Sequence, residues 1–278
     1  MIFQSIISSK YYQDSVDELM AIFKRLTIIA DGIPCIRFAD PEVKRICVKL
    51  WDTDKNGDIN VSEAESYHTF NAADWVGTTI KTFDEMRLFT NSKQYNNQTF
   101  SNCTSLESII LPDSFVSVNY KDFSGCVSLK RIIIGRNVTK IDTQAFNGCT
   151  SLSTIVWGGS ETQIREYGAF EFCAFEELEL PDTIEYIGAT AFKSNTKLKK
   201  ITLGPKVNTL GGGALRDCPL LTTVIIEAAT PPVCSNPADT FANSPCVVYV
   251  PDNVLNTYKT ASGWIGFATK IKPISEQP

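Results

Sequence analysis

The sequence predicts an α/β repeat solenoid: a coil of short parallel strands, with a small helical unit ahead of it and a strand–helix segment behind it. Three columns of apolar residues predict it. Ile109, Ile132, Ile155, Leu178, Ile201 and Val224 recur every 23 positions, and so do Leu111, Ile134, Trp157, Leu180, Leu203 and Ile226. Val118, Ile141, Ile164, Ile187 and Leu210 keep the same step. A period near 23 with apolar residues at fixed phases is the sequence form of a leucine-rich solenoid, whose turns bury apolar surface only against one another.

The phases show how each turn is built. In Leu129-Lys-Arg-Ile132-Ile-Ile134, residues 132 and 134 point one way while Arg131 and Ile133 point the other, which is the alternation of a strand. Pro112, Gly135, Gly158, Pro181 and Gly204-Pro205 follow the strands and end them, because proline cannot donate to a ladder and glycine turns the chain cheaply. Cys103, Cys126, Cys149, Cys173 and Cys218 share one phase, with Asn195 in the missing slot. A column of small interior residues suits reduced cysteine. Cys234–Cys246 and Cys35–Cys47 remain open as bridges. One turn gains a residue before Phe170 and loses one after Cys173.

The turn Cys-x-x-Leu-x-x-Ile-x-Leu-Pro, followed by Ile-Gly-x-x-Ala-Phe, resembles the BspA-like leucine-rich repeats of bacterial surface proteins over about residues 100–226. That resemblance implies a cell-surface or secreted protein-interaction module of adhesion type, whose partner is a host matrix or cell-surface protein. A monomer is expected. A structural envelope or spacer protein without a specific ligand is the rival reading.

Composition narrows the classes. A formal charge of −5, with no basic cluster, argues against nucleic acid. No run approaches the roughly 18–20 apolar residues that span a bilayer. The opening patch Met1-Ile-Phe-Gln-Ser-Ile-Ile has no leading positive charge and makes a poor signal peptide. The expectation from this end is a processed or truncated chain, or else a protein that stays inside.

Residues 1–37 read as an N-terminal packing segment, with Val16, Leu19, Met20, Phe23 and Leu26 at helical spacing over residues 14–29 and a turn at Asp31-Gly32. Residues 38–95 read as a calcium unit and N-terminal cap. Asp40-Pro41 caps a helix with an apolar stripe, and a twelve-residue loop follows from Asp52 to Glu63. Oxygen-bearing side chains fall at loop positions 1, 3, 5, 9 and 12, with glycine at 6 and isoleucine at 8. Calcium takes six to eight hard oxygens, and such an EF-hand-like loop delivers them. Asp52, Asp54, Asn56 and Glu63 would ligate through side chains, Asp58 through its carbonyl and Asn60 directly or through water. No second loop follows, so the ion would stabilise rather than switch. Residues 96–230 are the 23-residue repeats. Residues 231–278 read as a C-terminal cap, with a strand at Val247-Val-Tyr249-Val and a helix from Val254 to Lys259.

Catalysis has little to stand on. His68 is the only histidine, placed late in the helix leaving the loop and read as a solvent-exposed or satisfied side chain. Glu176, Glu177 and Glu179 keep a carboxylate hydrolase formally open. For binding, the outward strand positions form two columns on the sheet face. Arg131, Glu177 and Lys200 stripe it with charge, Glu179 adds to the acidic stretch, and Ile110, Ile133 and Val156 form an apolar patch.

Overall fold

The computed structural model describes residues 27–30, 33–94, 97–159, 162–164, 167–234 and 237–277. The opening apolar patch and most of the helix expected over residues 14–29 lie outside these. The end of that helix is corrected: β1 (Thr27–Ala30) is a strand and pairs antiparallel with β2 (Ile33–Ile36). Thr27, Ile28 and Ile29 are consecutive β-branched residues. Such residues lose side-chain freedom in a helix and suit a pleated surface.

The first helix, α1 (Pro41–Trp51), starts where its sequence says it should. Asp40 Oδ1 accepts the N–H groups of Glu42 at 2.8 Å and Val43 at 3.4 Å, and Pro41 stands in the first turn, where its missing N–H costs nothing. Val43, Ile46 and Cys47 face the core. After the loop come α2 (Val61–Glu65), β3 (His68–Phe70), α3 (Ala72–Trp75), β4 (Thr82–Phe83) and β5 (Ser92–Gln94).

The solenoid then alternates two sets of strands. On one side run β6 (Ser108–Ile110), β8 (Arg131–Ile133), β10 (Thr154–Val156), β11 (Glu177–Glu179), β13 (Lys200–Leu203) and β15 (Thr223–Ile226). Between them lie the two-residue strands β7 (Ser117–Val118), β9 (Lys140–Ile141), β12 (Tyr186–Ile187), β14 (Thr209–Leu210) and β16 (Val233–Cys234). The register follows the 23-residue step, with Ile109 opposite Ile132, Ile132 opposite Ile155, and Leu178 opposite Ile201. Past the last repeat, α4 (Pro237–Thr240), β17 (Val247–Val250), α5 (Leu255–Thr260) and β18 (Ile271–Pro273) complete the chain. β17 and β18 extend the parallel ladder, so the strand and helix expected after residue 230 are present. Tyr258 Oη donates to Ala228 O at 2.7 Å and Trp264 Nε1 to Pro232 O at 2.8 Å, which ties this segment to the end of the coil.

Among the described residues, the ladder on the side of the longer strands is interrupted once. β4, β6, β8 and β10 form one parallel sheet, and β11, β13, β15, β17 and β18 form another. The break falls at the turn with the compensated slip. Elsewhere the next leucine stands three positions after the ladder cysteine or asparagine, and the Leu106, Leu129, Leu152, Leu198 and Leu221 N–H groups close that turn onto Cys103, Cys126, Cys149, Asn195 and Cys218. Here the larger Phe175 stands only two residues after Cys173. The turn cannot form, Ala174 N–H donates to Leu152 O instead, and among the described residues no ladder pairing joins β10 to β11.

Inside, like stacks on like. Phe100, Phe123, Phe146, Phe170 and Phe192 form a continuous ring stack, with centroids 5.0–5.4 Å apart and interplanar angles of 9° or less. The cysteine column hydrogen-bonds to it. Cys126 Sγ donates to Phe100 O at 3.0 Å and Cys149 Sγ to Phe123 O at 3.0 Å, and Cys173 and Cys218 repeat the contact. Asn195 Nδ2 does the same to Phe170 O at 2.8 Å. Each side chain therefore satisfies a carbonyl of the turn before, which a buried backbone group requires. All nine cysteines are buried thiols outside any disulfide, so neither Cys35–Cys47 nor Cys234–Cys246 is bridged. A single apolar core runs from Ile36 to Ile271.

Candidate functional site

Two places carry the expected chemistry: the loop from Asp52 to Glu63, and the strand face. The loop is shaped by two left-handed residues, Lys55 at φ 60° and Gly57 at φ 85°. Glycine adopts that conformation without strain, which explains its place at the sharpest point. Glu63 is buried and closes the loop. Its Oε1 accepts from Thr53 N–H and Oγ1, both at 2.7 Å, and from Asp54 N–H at 3.3 Å. Its Oε2 accepts from Asn60 N–H at 3.0 Å, and Asn60 Oδ1 accepts in return from Glu63 N–H at 2.9 Å, a reciprocal cap on α2.

Carboxylate oxygens of Asp52, Asp54 and Glu63 lie within 4.8 Å of one another. Burial works to raise the pKa of Asp52, but the N–H groups of Gly57, Lys55 and Asn56, with a hydrogen bond from Asp54, hold it below the ordinary carboxylate value. Burial likewise works against ionised Glu63, and the donors of Asn60, Thr53 and Asp54 outweigh it. Asp52 Oδ1 is buried and, among the described residues, has no hydrogen-bond partner. An unpartnered oxygen beside two other carboxylates fits a hard divalent cation.

The side chains of the other expected ligands also hold the loop. Asn56 Oδ1 accepts from Asp58 N–H at 2.8 Å, the Asn60 oxygen caps α2, and the Asp58 carboxylate pairs with Lys44 of α1 at 2.5 Å. The carboxylates of Asp52, Asp54 and Glu63 are thus brought together, and the side chains of Asn56, Asp58 and Asn60 shape the same loop, the Asp58 carbonyl expected as a ligand being distinct from its paired carboxylate. The sequence did not reveal what lies against it. Ile36 N–H donates to Ile59 O at 2.7 Å, and Cys35 bridges Asn60 antiparallel, so β2 lies along this loop. The Ile33-Pro-Cys-Ile36 run was the available signal.

His68 corrects its expected place. It opens β3 rather than ending a helix, because α2 stops at Glu65. The ring is buried against Trp51 at 4.6 Å and Phe89 at 5.5 Å, and Nε2 meets Glu63 O at 2.5 Å. Burial pushes its pKa down.

On the strand face, Arg131, Glu177 and Glu179 are exposed, and Val156 and Lys200 are partly so. The apolar patch is a correction. Ile110 is only 7% and Ile133 8% exposed, although neither belongs to the central core. The register places them side by side, so β-branched neighbours cover each other. Charge instead links successive turns: Lys130 meets Glu107 at 2.6 Å and Lys199 meets Glu176 at 2.8 Å. The hydrogen bond from Lys199 lowers the pKa of Glu176, the reverse of what a general acid needs. Among the described residues no helix is long and apolar enough to cross a membrane.

The stacked parallel strands, the ring stack and the cysteine–asparagine column define a leucine-rich repeat solenoid. The BspA type leucine-rich repeat model matches residues 79–168 and 162–247 in six copies, more than half of the chain, and the chain belongs to that family. The match reaches beyond residues 100–226 at both ends. Among solved structures, a leucine-rich repeat protein from Bacteroides ovatus is 24% identical, covering 58% of this chain and 40% of its own, with a TM-score of 0.51. The T. pallidum leucine-rich repeat protein is also 24% identical, covering 58% of this chain and 63% of its own, with a TM-score of 0.40. The pneumococcal vaccine antigen PcpA is 18% identical over 75% of this chain and 54% of its own, with a TM-score of 0.45. This chain therefore spans less than two thirds of each, and the likeness shows the fold alone. No curated protein matches.

Proposed function

We propose that this chain is a protein-interaction module of adhesion type, stabilised by calcium, that binds a host matrix or cell-surface protein through its strand face. The observation that carries the reading is the face itself. Stacked parallel strands hold Glu177 beside Lys200 in one sheet and Arg131 between Ser108 and Thr154 in the other, with Ile110, Ile133 and Val156 packed between turns. Rigid solenoid faces suit extended partners, and exposed charges set the rate and selectivity of docking. The test is binding of the full chain to a panel of immobilised matrix proteins. Arg131→Glu should slow association and change its salt dependence. Binding that is absent throughout the panel, or unaltered in the variant, would support a spacer role instead.

The loop supports the calcium part, through the three clustered carboxylates and the unpartnered Asp52 oxygen. A ligand that binds only the folded form adds RT ln(1 + [L]/Kd), about 2.7 kcal/mol at one hundred times Kd. Glu63→Gln should remove most of that gain. A melting temperature unchanged between calcium and chelator would refute the site.

A further inference from the structure

We propose that the break between β10 and β11 accepts an extended basic segment of a partner protein as an added strand. This rests on the protein-binding reading above and names the partner's chemistry. Among the described residues, the break leaves the β10 and β11 edges without a paired strand. Thr154 N–H bonds Lys130 O and Val156 O accepts from Ile134 N–H, so residues 154 and 156 face β8. Groups alternate along a parallel strand, which turns the N–H and C=O of Ile155 toward the break. On the other side, Glu176 O accepts from Lys199 N–H and Leu180 N–H bonds Thr202 O. Residues 176 and 180 thus face β13, and Glu177 and Glu179 present their backbone to the same break.

The core opens at this point. In the column where Ile109, Ile132, Ile201 and Val224 are at most 1% exposed, Leu178 is 7% exposed and Ile155 is only partly buried. The cause is built in. Trp157 and Phe175 both lie edge-on to Phe170, at 6.1 Å and 6.0 Å, and occupy the interior where smaller aliphatics stand in other turns. The opposite side of the coil stays closed through the Ile164–Ile187 bridge and the unbroken ring stack. The break is therefore a wedge held open on the binding face.

Charge selects the occupant. Glu177 and Glu179 are exposed on the β11 edge, and among the described residues neither forms a salt bridge, whereas Glu176 is already paired with Lys199. An added strand with lysine or arginine outward and aliphatic residues inward would meet these carboxylates and cover Ile155 and Leu178. Strand addition takes its affinity from main-chain hydrogen bonds and its specificity from alternate side chains.

The experiment uses the full chain and a capped eight-residue peptide alternating lysine and valine. Comparison peptides alternate glutamate and valine, or carry N-methyl groups at every second amide. In the free protein, the Ile155 and Glu179 amides should exchange with solvent at least tenfold faster than those of Ile132 and Thr202. The lysine–valine peptide should protect them, the two comparison peptides should bind at least tenfold more weakly, and Glu177→Lys with Glu179→Lys should weaken binding tenfold. Equal exchange at Ile155 and Ile132, failure of the lysine–valine peptide to bind, or indifference to N-methylation would overturn the proposal. Loss of the matrix panel in the Arg131→Glu variant, with no peptide effect, would retain face binding and reject strand addition.

Discussion

The repeat stack and the unit ahead of it share one core but are held by opposite means. In the stack, each residue is fixed by its copy one turn away: ring on ring, sulfur on carbonyl, isoleucine beside isoleucine. Ahead of it, nothing repeats. Phe70 touches Trp51, Trp75, Phe83, Phe89, Phe100 and Phe115 at mixed angles, and the loop is closed by one carboxylate, Glu63. The two are joined by acids: Asp40 accepts from Lys81 N–H at 2.5 Å and Glu85 from Ala39 N–H at 2.9 Å. Repetition spreads stability over many equivalent contacts, whereas the leading unit concentrates it in a few irreplaceable ones.

The largest expected effect tests how each turn is divided. Ile132→Asp puts a charge in the core and should unfold the array, a loss of more than about 4 kcal/mol. Ile133→Asp, one residue along, should cost about 1–2 kcal/mol, since it loses only packing against Ile110 and Val156. Urea melts compare them, and equal losses would erase the distinction between core edge and face.

Next in size is a pair of ring deletions. Phe146→Ala and Phe70→Ala should each cost about 3–5 kcal/mol, by lost burial plus the cavity left behind. Because the core is continuous, both variants should melt in a single transition. A separate early transition in the Phe70 variant would show that the leading unit unfolds independently.

Cys126→Ser sharpens the account of the column. Its hydroxyl takes over the bond to Phe100 O, so the cost should stay near 1 kcal/mol. A loss of several kcal/mol in thermal melts would mean the site rejects the hydroxyl despite that partner. Thiol reagents should miss Cys126 and Cys149 in the native protein and react fully after unfolding.

The smallest effect lies at the junction. Burial raises the pKa of Glu85 above its ordinary 4.5, with the charges of Asp84 and Asp40 adding to it. The folded form thus holds this proton to higher pH than the unfolded chain, and its contribution is full below about pH 4.5 and lost as pH rises through the raised value. Glu85→Gln keeps an acceptor for Ala39 and should raise the melting temperature at pH 7 relative to the parent. At pH 4 that gain should vanish. A gain that is the same at both values would mean Glu85 is ionised in the fold throughout.

By itself the sequence determined whatever depends on period and spacing. The strand columns, their register, the buried cysteine phase and the clustering of Asp52, Asp54 and Glu63 follow from residues copied every 23 positions or fixed within one short loop. Such features are local or repeat locally, so one turn's chemistry dictates the next. The tertiary structure alone decided the rest. It placed β2 against Ile59, buried His68 among aromatics, covered Ile133 with its neighbours and parted β10 from β11. The slip at Phe170–Cys173 was legible in the sequence, but its consequence was not. Counting residues shows that a turn regains its phase. Only packing shows that a turn one residue short, carrying Phe175 in place of leucine, cannot deliver its strand to the ladder.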